Sequence, residues 1–493
     1  MNEIPENATQ TAIMANGRSF SYNELQTAAQ RFARVLLGNG ADLAGARVAF
    51  MVTPGFDYVR VQRGIWLAGG VAVPLCTTHP LPSLTYVIED TQAAIVVVSP
   101  EFESVLAAYV LEHELRLVVP GNDDLVTVGV LPTVPPSRPA MILYTSGTTN
   151  LPKGVVSTHA NIDAQVSMLV DAWHYAPTDQ SLCVLPLHHV HGIINVVTCT
   201  LRAGGTVAFM PHFSAQGVFD WFLDMAQQPR RGVFMAVPTI YFKLIAHYDT
   251  LPNDQQQALT AAMTTFRLMV SGSAALPVSV MERWQTISGH RLLERYGMTE
   301  LGMAISNPYR GERRAGHIGQ PLPGVTVRLA DEHDNDVAPG EAGEIQVKGA
   351  AVFKEYWQKA EATRAAFTTD GWFRTGDVAV LDDGYYKMLG RSSTDIIKSG
   401  GYKISALEIE EVLRTYPQIE DCSVVGLASD EWGELVAAAL VVGQEATLNT
   451  DELNRWIRDR LPAYKVPRRY VIVTELPRNA MGKVTKNDLK TSF

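Results

Sequence analysis

Cysteine is scarce. The four in 493 residues, Cys76, Cys183, Cys199 and Cys422, are far apart and form no CxxC pair, which excludes a disulfide scaffold and a zinc knuckle. Buried reduced thiols are the expectation. Positive charge is not in excess either: 41 Lys plus Arg stand against 51 Asp plus Glu, a net charge of −10. Sequence-independent nucleic-acid binding draws on clustered cations and is not expected. No run approaches the roughly 18 uninterrupted apolar residues that a membrane span needs. The opening Met1-Asn2-Glu3-Ile4-Pro5-Glu6 lacks the basic and apolar regions of a secretory leader, so a cytoplasmic location without a membrane partner is expected. Internal repeats and low-complexity tracts are absent too. What remains is an ordinary globular composition, 46% hydrophobic and 19% charged. The length predicts two or more structural units and suits a multidomain enzyme better than a single binding module.

The apolar runs Val48–Met51, Ala94–Val98, Met141–Tyr144, Val207–Met210, Val233–Val237 and Leu268–Val270 alternate with helical stretches such as Ser21–Leu37. That alternation predicts an α/β layered fold. Near Gly316 the pattern shortens to β-rich segments such as Gly343–Val347, a small β subdomain. From about Ser393 the chain has its own pattern: Ser405 and Glu408 form a capping box opening a helix to about Leu413, and Thr450 caps a second helix carrying Leu453, Ile457 and Leu461. The reading is a large N-terminal α/β body with a β subdomain, residues 1–392, and a small mobile C-terminal α+β domain, residues 393–493.

The densest chemistry lies at Thr145-Ser146-Gly147-Thr148-Thr149-Asn150-Leu151-Pro152-Lys153. Four Ser/Thr hydroxyls, a flexible glycine and a lysine supply the donors and the charge needed to wrap polyphosphate oxygens. A Walker A loop is excluded, because Lys153 precedes Gly154 and is followed by neither Ser nor Thr. In Glu294-Arg295-Tyr296-Gly297-Met298-Thr299-Glu300, Tyr296 offers an aromatic face for a purine, Thr299 a hydroxyl for a phosphate and Glu300 a hard oxygen ligand for Mg²⁺. Asp377, in Phe373-Arg374-Thr375-Gly376-Asp377, can accept two vicinal hydroxyls. Lys483, in the closing Gly482-Lys483, can bring a cation to phosphate oxygens as charge concentrates there.

These motifs, in this order over nearly the whole chain, resemble the adenylate-forming superfamily of acyl-CoA synthetases, firefly luciferase and peptide-synthetase adenylation domains. The resemblance implies an acyl-CoA synthetase with ATP and CoA as co-substrates and Mg²⁺ as cofactor. It implies ATP binding by Thr145, Ser146, Gly147, Thr148, Thr149, Lys153, Ser273, Glu294, Tyr296, Gly297, Met298, Thr299, Asp377, Arg391 and Lys483, with Glu300 and Thr145 on the metal. Lys483 and His189 would be the catalytic pair, Ser399, Gly400 and Gly401 would lie along the CoA path, and a hinge near Ser393 would let the small domain swing. Two departures stand out: Asn150 replaces a usual glycine in the phosphate loop, and Leu435 stands where arginine is frequent.

The acid is read from Leu185-Pro186-Leu187-His188-His189-Val190-His191-Gly192 and Ser271-Gly272-Ser273-Ala274-Ala275-Leu276, which resemble the carboxylate pocket of malonyl-CoA synthetases. Malonate keeps a second carboxylate ionised at neutral pH, and burying it without a cation costs several kcal/mol. An arginine is therefore expected at the pocket. Arg283 and Arg267 are the candidates, with Arg283 preferred because arginine at the other position is common in ligases for uncharged acids. His189, His191, Ser273, Arg283 and Met303 are the substrate-binding set, and Val190 and Met303 limit room for an α-substituent, as in methylmalonate. The rival readings are a CoA ligase for oxalate, a short fatty acid or an aryl acid, acyl transfer to a carrier protein, and a catalytically silent nucleotide-binding homologue.

Overall fold

The computed structural model describes residues 8–121, 129–145, 152–443, 448–479 and 482–493. Among these, the strands form four sheets. The largest runs in the order Gln320–Pro321, Gly302–Ser306, Leu293–Met298, Leu268–Ser271, Arg231–Ala236, Asp179–Cys183, Thr206–Phe209, Thr11–Ala15 and Arg18–Ser21, its central strands all parallel. The second runs Glu355–Tyr356, Lys153–Thr158, Pro139–Thr145, Val71–Pro74, Arg47–Met51, Ile95–Val98 and Arg116–Val118. Strands such as Ile95–Val98 are buried on both faces, which is why they are continuous Val/Ile runs rather than alternating ones.

Helices Tyr22–Leu37, Phe56–Leu67 and His159–Ala172 share one core with the facing sides of both sheets, from Val48, Phe50 and Val97 across to Val207, Val233 and Leu268. The first of them starts where expected: Ser21 caps it, with Glu24 returning the bond in a full capping box, and Leu25, Ala29, Phe32 and Leu36 face inward. It approaches Phe56–Leu67 closely, since a Cβ at Gly64 would stand 2.8 Å from the Phe32 ring. Helices Ala215–Met225, Pro238–Asp249, Asn253–Thr264 and Val278–Ser288 cover the outer face of the large sheet around Phe219, Tyr241 and Trp284. Helices Leu81–Thr91 and Glu103–Glu112 cover the outer face of the second sheet. The body is thus an α/β stack with a helical layer between two sheets.

An antiparallel sheet of Val325–Ala330, Ala342–Gly349, Phe373–Asp382 and Tyr385–Arg391 follows as the β subdomain. The last sheet, built from Ile396–Ser399, Tyr402–Ser405, Ile419–Ser429, Gly433–Val442 and Arg469–Ile472, closes on helices Ala406–Arg414 and Thr450–Arg458 with its own core of Ile404, Ile409, Leu413, Leu440 and Ile457. Two details differ from the sequence reading. Ser405 does accept the Glu408 N–H, but the Glu408 carboxylate turns to Lys465 instead of back to the cap, so only half of the capping box forms. The second helix is capped by Asn449, whose side chain accepts from Asp451 and Glu452; Thr450 is already inside, and Leu461 falls past the helix end. Lys486 anchors the C-terminal segment between Asp395 at 2.7 Å and Glu410 at 2.8 Å. Among the described residues, no helix is long and apolar enough to cross a membrane.

Candidate active site

The carboxyl ends of parallel strands in an open α/β sheet leave a crevice where ligands bind. Here three strands converge: Asp179–Cys183 leads to the histidine loop, Leu268–Ser271 to the Gly272-Ser273 turn, and Leu293–Met298 carries Glu294 beside Ser271. Ser273 is held at φ 72°, a strained angle for a residue with a side chain, and its Oγ lies 3.1 Å from His191 Nδ1. The His191 backbone N–H donates to His189 Nδ1, leaving the His189 proton on Nε2. Burial, then Lys483, His188 and Arg295, hold the His189 pKa well below the usual imidazole value; burial, Arg295 and His189 do the same to His191. Both rings are neutral donors.

Arg295 is the cation of this pocket. It is buried, and a Cβ at Gly272 would stand 2.6 Å from its Cζ, so the turn wraps its guanidinium. Its Nε and Nη2 have no partner, and neither have His191 Nε2, Ser271 Oγ, the Asn195 amide, Gln165 Nε2 or Glu294 Oε2. Buried polar groups are rarely left unmatched, and the free atoms of Arg295 and His191, gathered at the Gly272-Ser273 turn, mark a place for a polar ligand. Burial pushes Glu294 up to about 8, while Arg295 comes down only to about 9. Burial therefore favours the neutral form of the Glu294 carboxyl, and the Glu294 charge works against loss of the Arg295 proton. Met303 packs at 1% exposure beside the pocket, its N–H held by Gln165 Oε1, and Val190 is buried on the histidine loop.

Next to this pocket, Tyr296 donates to Asp377 Oδ2 at 2.7 Å, and Arg391 Nη1 donates to Asp377 Oδ1 at 3.1 Å. Burial raises the Asp377 pKa, against the pull of Arg391 and Tyr296. Lys483 keeps an exposed side chain but stands inside the cleft: desolvation lowers its pKa, while Asp377 and Glu300 pull it up. Its loop seats on the body, with Gly482 against Thr239. The C-terminal helix also touches the body, where Glu411 accepts the Val278 N–H.

Of the segment expected to wrap phosphates, Ser146, Gly147, Thr148, Thr149, Asn150 and Leu151 lie outside the described residues. Its two ends are paired strand residues, Thr145 opposite Lys153. Lys153 Nζ sits 5.0 Å over the Tyr356 ring, and the Tyr356 hydroxyl donates to Glu300 Oε1 at 2.9 Å. Glu300 is buried and its pKa raised by that burial, a desolvated carboxylate suited to a cation. Among the described residues, no group of three His, Cys, Asp or Glu side chains forms a metal cage. Mg²⁺ needs none, since one carboxylate plus substrate phosphates is its usual arrangement.

Residues 3–357 match the model for the AMP-binding enzyme and residues 408–483 the model for the AMP-binding enzyme C-terminal domain. The chain belongs to the AMP-binding enzyme family. It is 42% identical to the mitochondrial malonate–CoA ligase ACSF3 of Xenopus laevis, over 100% of this chain and 91% of that one. It is 40% identical to the malonate–CoA ligase of Arabidopsis thaliana, over 100% and 88%. The ATP-bound crystal structure of MatB from Rhodopseudomonas palustris superposes with a TM-score of 0.91 at 33% identity, covering 99% of this chain and 96% of that one.

Within this AMP-binding enzyme, neither arginine candidate reaches the pocket. Arg283 lies on the outward side of helix Val278–Ser288, half exposed and paired with Asp249, so its assignment to the acid is corrected. Arg267 is buried but spent: Nε and Nη2 grip Asp179 at 2.9 and 2.8 Å, and Nη1 donates to Trp173 O. The buried cation beside the Gly272-Ser273 turn is instead Arg295, on strand Leu293–Met298, which the sequence reading does not single out. Gly297 and Met298 end that strand and Thr299 follows in the turn. Ser399, Gly400 and Gly401 form a hairpin turn that packs on Trp432 of the C-terminal sheet, Ser399 pairing with Gly433.

Proposed function

We propose that the chain is a malonate–CoA ligase that forms an acyl-adenylate from ATP and passes the acyl group to CoA. The observation that carries the reading is Arg295: a buried guanidinium with two unpaired N–H groups, beside neutral His191 and Ser273. An acid with an uncharged tail would leave that cation buried and unpaired, which costs several kcal/mol; a second carboxylate removes the cost.

In this reading Arg295, His191 and Ser273 bind the distal carboxylate, and His189 orients the reacting one by donating from Nε2. A carboxylate oxygen attacks the α-phosphorus, the bond to the β-phosphate oxygen breaks, and pyrophosphate leaves. Lys483 brings its charge to the oxygens that become more negative, an electrostatic role. Asp377 and Arg391 hold the ribose, Tyr296, Gly297 and Met298 pack on the purine, Glu294 fixes the 276 backbone beside it, and Thr299 and Lys153 hold phosphate oxygens. Glu300, with Thr145, would hold Mg²⁺, which when bound withdraws charge from the phosphates. CoA thiolate then attacks the acyl carbon and AMP leaves, with Ser399, Gly400 and Gly401 on the CoA path and residues 393–493 acting as the lid. Val190 and Met303 bound the space beside the central carbon, which makes methylmalonate the substituted acid to compare.

The test is thioester formation with ATP, Mg²⁺ and CoA over malonate, methylmalonate, oxalate, acetate, butyrate and coumarate, with pyrophosphate followed in parallel. Malonate leading the panel is the expected result. A leading monocarboxylate would overturn the Arg295 argument, and pyrophosphate release without thioester would point to a carrier-protein acceptor.

A further inference from the structure

We infer that Tyr356 is a positioning residue of the triphosphate site, holding apart the acid and the base that flank the phosphates. The inference rests on the reading of Glu300 and Lys153 as ATP-binding groups. Tyr356 belongs to none of the motifs above. It sits in the two-residue strand Glu355–Tyr356, antiparallel to Lys153–Thr158, with Lys354 N donating to Val156 O at 2.9 Å and Trp357 N to Gly154 O at 2.7 Å. The backbone thus fixes Tyr356 to the strand that begins at Lys153.

The same segment grips Glu300 twice. Phe353 N donates to the Glu300 carbonyl at 2.7 Å, and the Tyr356 hydroxyl donates to the Glu300 carboxylate at 2.9 Å. The Tyr356 ring is 8% exposed and packs on Phe353 with centroids 4.8 Å apart, so it cannot swing away. Lys153 Nζ rests over its face at 5.0 Å.

One ring therefore carries a carboxylate at its hydroxyl edge and an ammonium on its face. In a partly desolvated cleft opposite charges attract strongly, and an ion pair between the two would withdraw both from the phosphates. The hydroxyl bond fixes the carboxylate, and the cation–π contact gives the ammonium a resting place other than the carboxylate. Glu300 is left to face a divalent cation and Lys153 to face phosphate oxygens.

The test is equilibrium binding of ATP to the full chain, with no acid or CoA present so that nothing turns over. Titrations with Mg²⁺, with EDTA in its place, and with AMP alone are compared for wild type, Tyr356→Phe and Tyr356→Leu. Tyr356→Phe keeps the ring and loses the hydroxyl bond, so Mg²⁺-dependent ATP affinity is expected to fall about tenfold, the size of one hydrogen bond to a charged group. Its affinity for ATP in EDTA and for AMP should stay within about twofold, the spread expected of an untouched contact. Tyr356→Leu also removes the perch of Lys153 and should weaken ATP in EDTA by about threefold or more. Unchanged Mg²⁺-dependent binding in Tyr356→Phe would overturn the inference. So would an equal loss of AMP binding, which would make Tyr356 a packing residue. A wild-type chain that does not bind ATP at all would remove the reading of Glu300 and Lys153, and the inference with it.

Discussion

Gly272 lies flat against the guanidinium of Arg295, with only 2.6 Å between the position a Cβ would take and the Arg295 Cζ. No side chain fits there without moving the arginine. Gly272→Ala should therefore raise the KM for malonate about tenfold, the loss expected when one charged hydrogen bond is misaligned, and leave the KM for ATP within about twofold. Steady-state kinetics with each substrate varied in turn separate the two, and an unchanged malonate KM would mean that the acid binds elsewhere.

The two arginines predict opposite outcomes. Arg295→Met should lower kcat/KM for malonate by about a hundredfold to several thousandfold, the roughly 3–5 kcal/mol scale of leaving a buried charge without its partner. Acetate and butyrate should lose much less. Arg283→Ala should stay within about twofold for every acid, because an exposed ion pair contributes about 0–1 kcal/mol and this one lies away from the pocket. Selectivity ratios across the acid panel check both.

Lys483→Gln removes the charge but little packing, since the side chain is exposed within the cleft. Pyrophosphate release should slow by about a hundredfold to a thousandfold, as for loss of one electrostatic donor to a developing charge. The melting temperature should not move. A loss of stability in step with activity would count against an electrostatic role.

Glu294 gives a stability signature. Burial pushes it up to about 8 from its ordinary value of 4.5, so in this range the native state holds a proton that the unfolded chain has lost. Stability then falls as pH rises from about 4.5 through about 8. Glu294→Gln cannot ionise and should lose less melting temperature than wild type between about pH 5 and pH 8, read by calorimetry. Parallel curves for the two proteins would show that Glu294 is already ionised.

Cys76 should be the reactive thiol. Burial alone would raise its pKa, but hydrogen bonds from the His188 and His79 imidazoles bring it down to about 5. Burial pushes Cys183, Cys199 and Cys422 upward without such help. Iodoacetamide at about pH 6 attacks thiolates and should label Cys76 well before the others, as followed by peptide mass spectrometry.

The strands were legible because parallel strands buried on both faces are written as unbroken apolar runs, as Ile95–Val98 shows. Helix starts were less so: Asn449 and Thr450 are adjacent capping types, and only the fold decides that Asn449 takes the bond. Around the phosphates the chemistry is dense in sequence, so Lys153, Glu300 and Asp377 could be picked out singly. Arg295 could have been found by strand alternation, which turns it away from its neighbours Glu294 and Tyr296. It was sought instead at positions 283 and 267, where nothing local reveals that Asp249 and Asp179 already hold the charge. Tyr356 had no local signal at all, because its partner Glu300 is 56 residues away and only strand pairing brings them together.

The short strand that carries Tyr356 also covers part of one edge of its sheet, pairing with Val155 and Val156 of Lys153–Thr158. The next residue, Trp357, donates its indole N–H to Asp90 O, 267 residues back along the chain. On the other sheet, Thr206 reaches Thr11 across 195 residues. Synthesis must therefore run through most of the body before either large sheet can close, and folding waits on contacts of high sequence separation. Until residue 356 has emerged, Lys153–Thr158 presents unpaired backbone groups to any neighbouring strand, so chains stalled or cut before that point are the form of this protein most prone to aggregate.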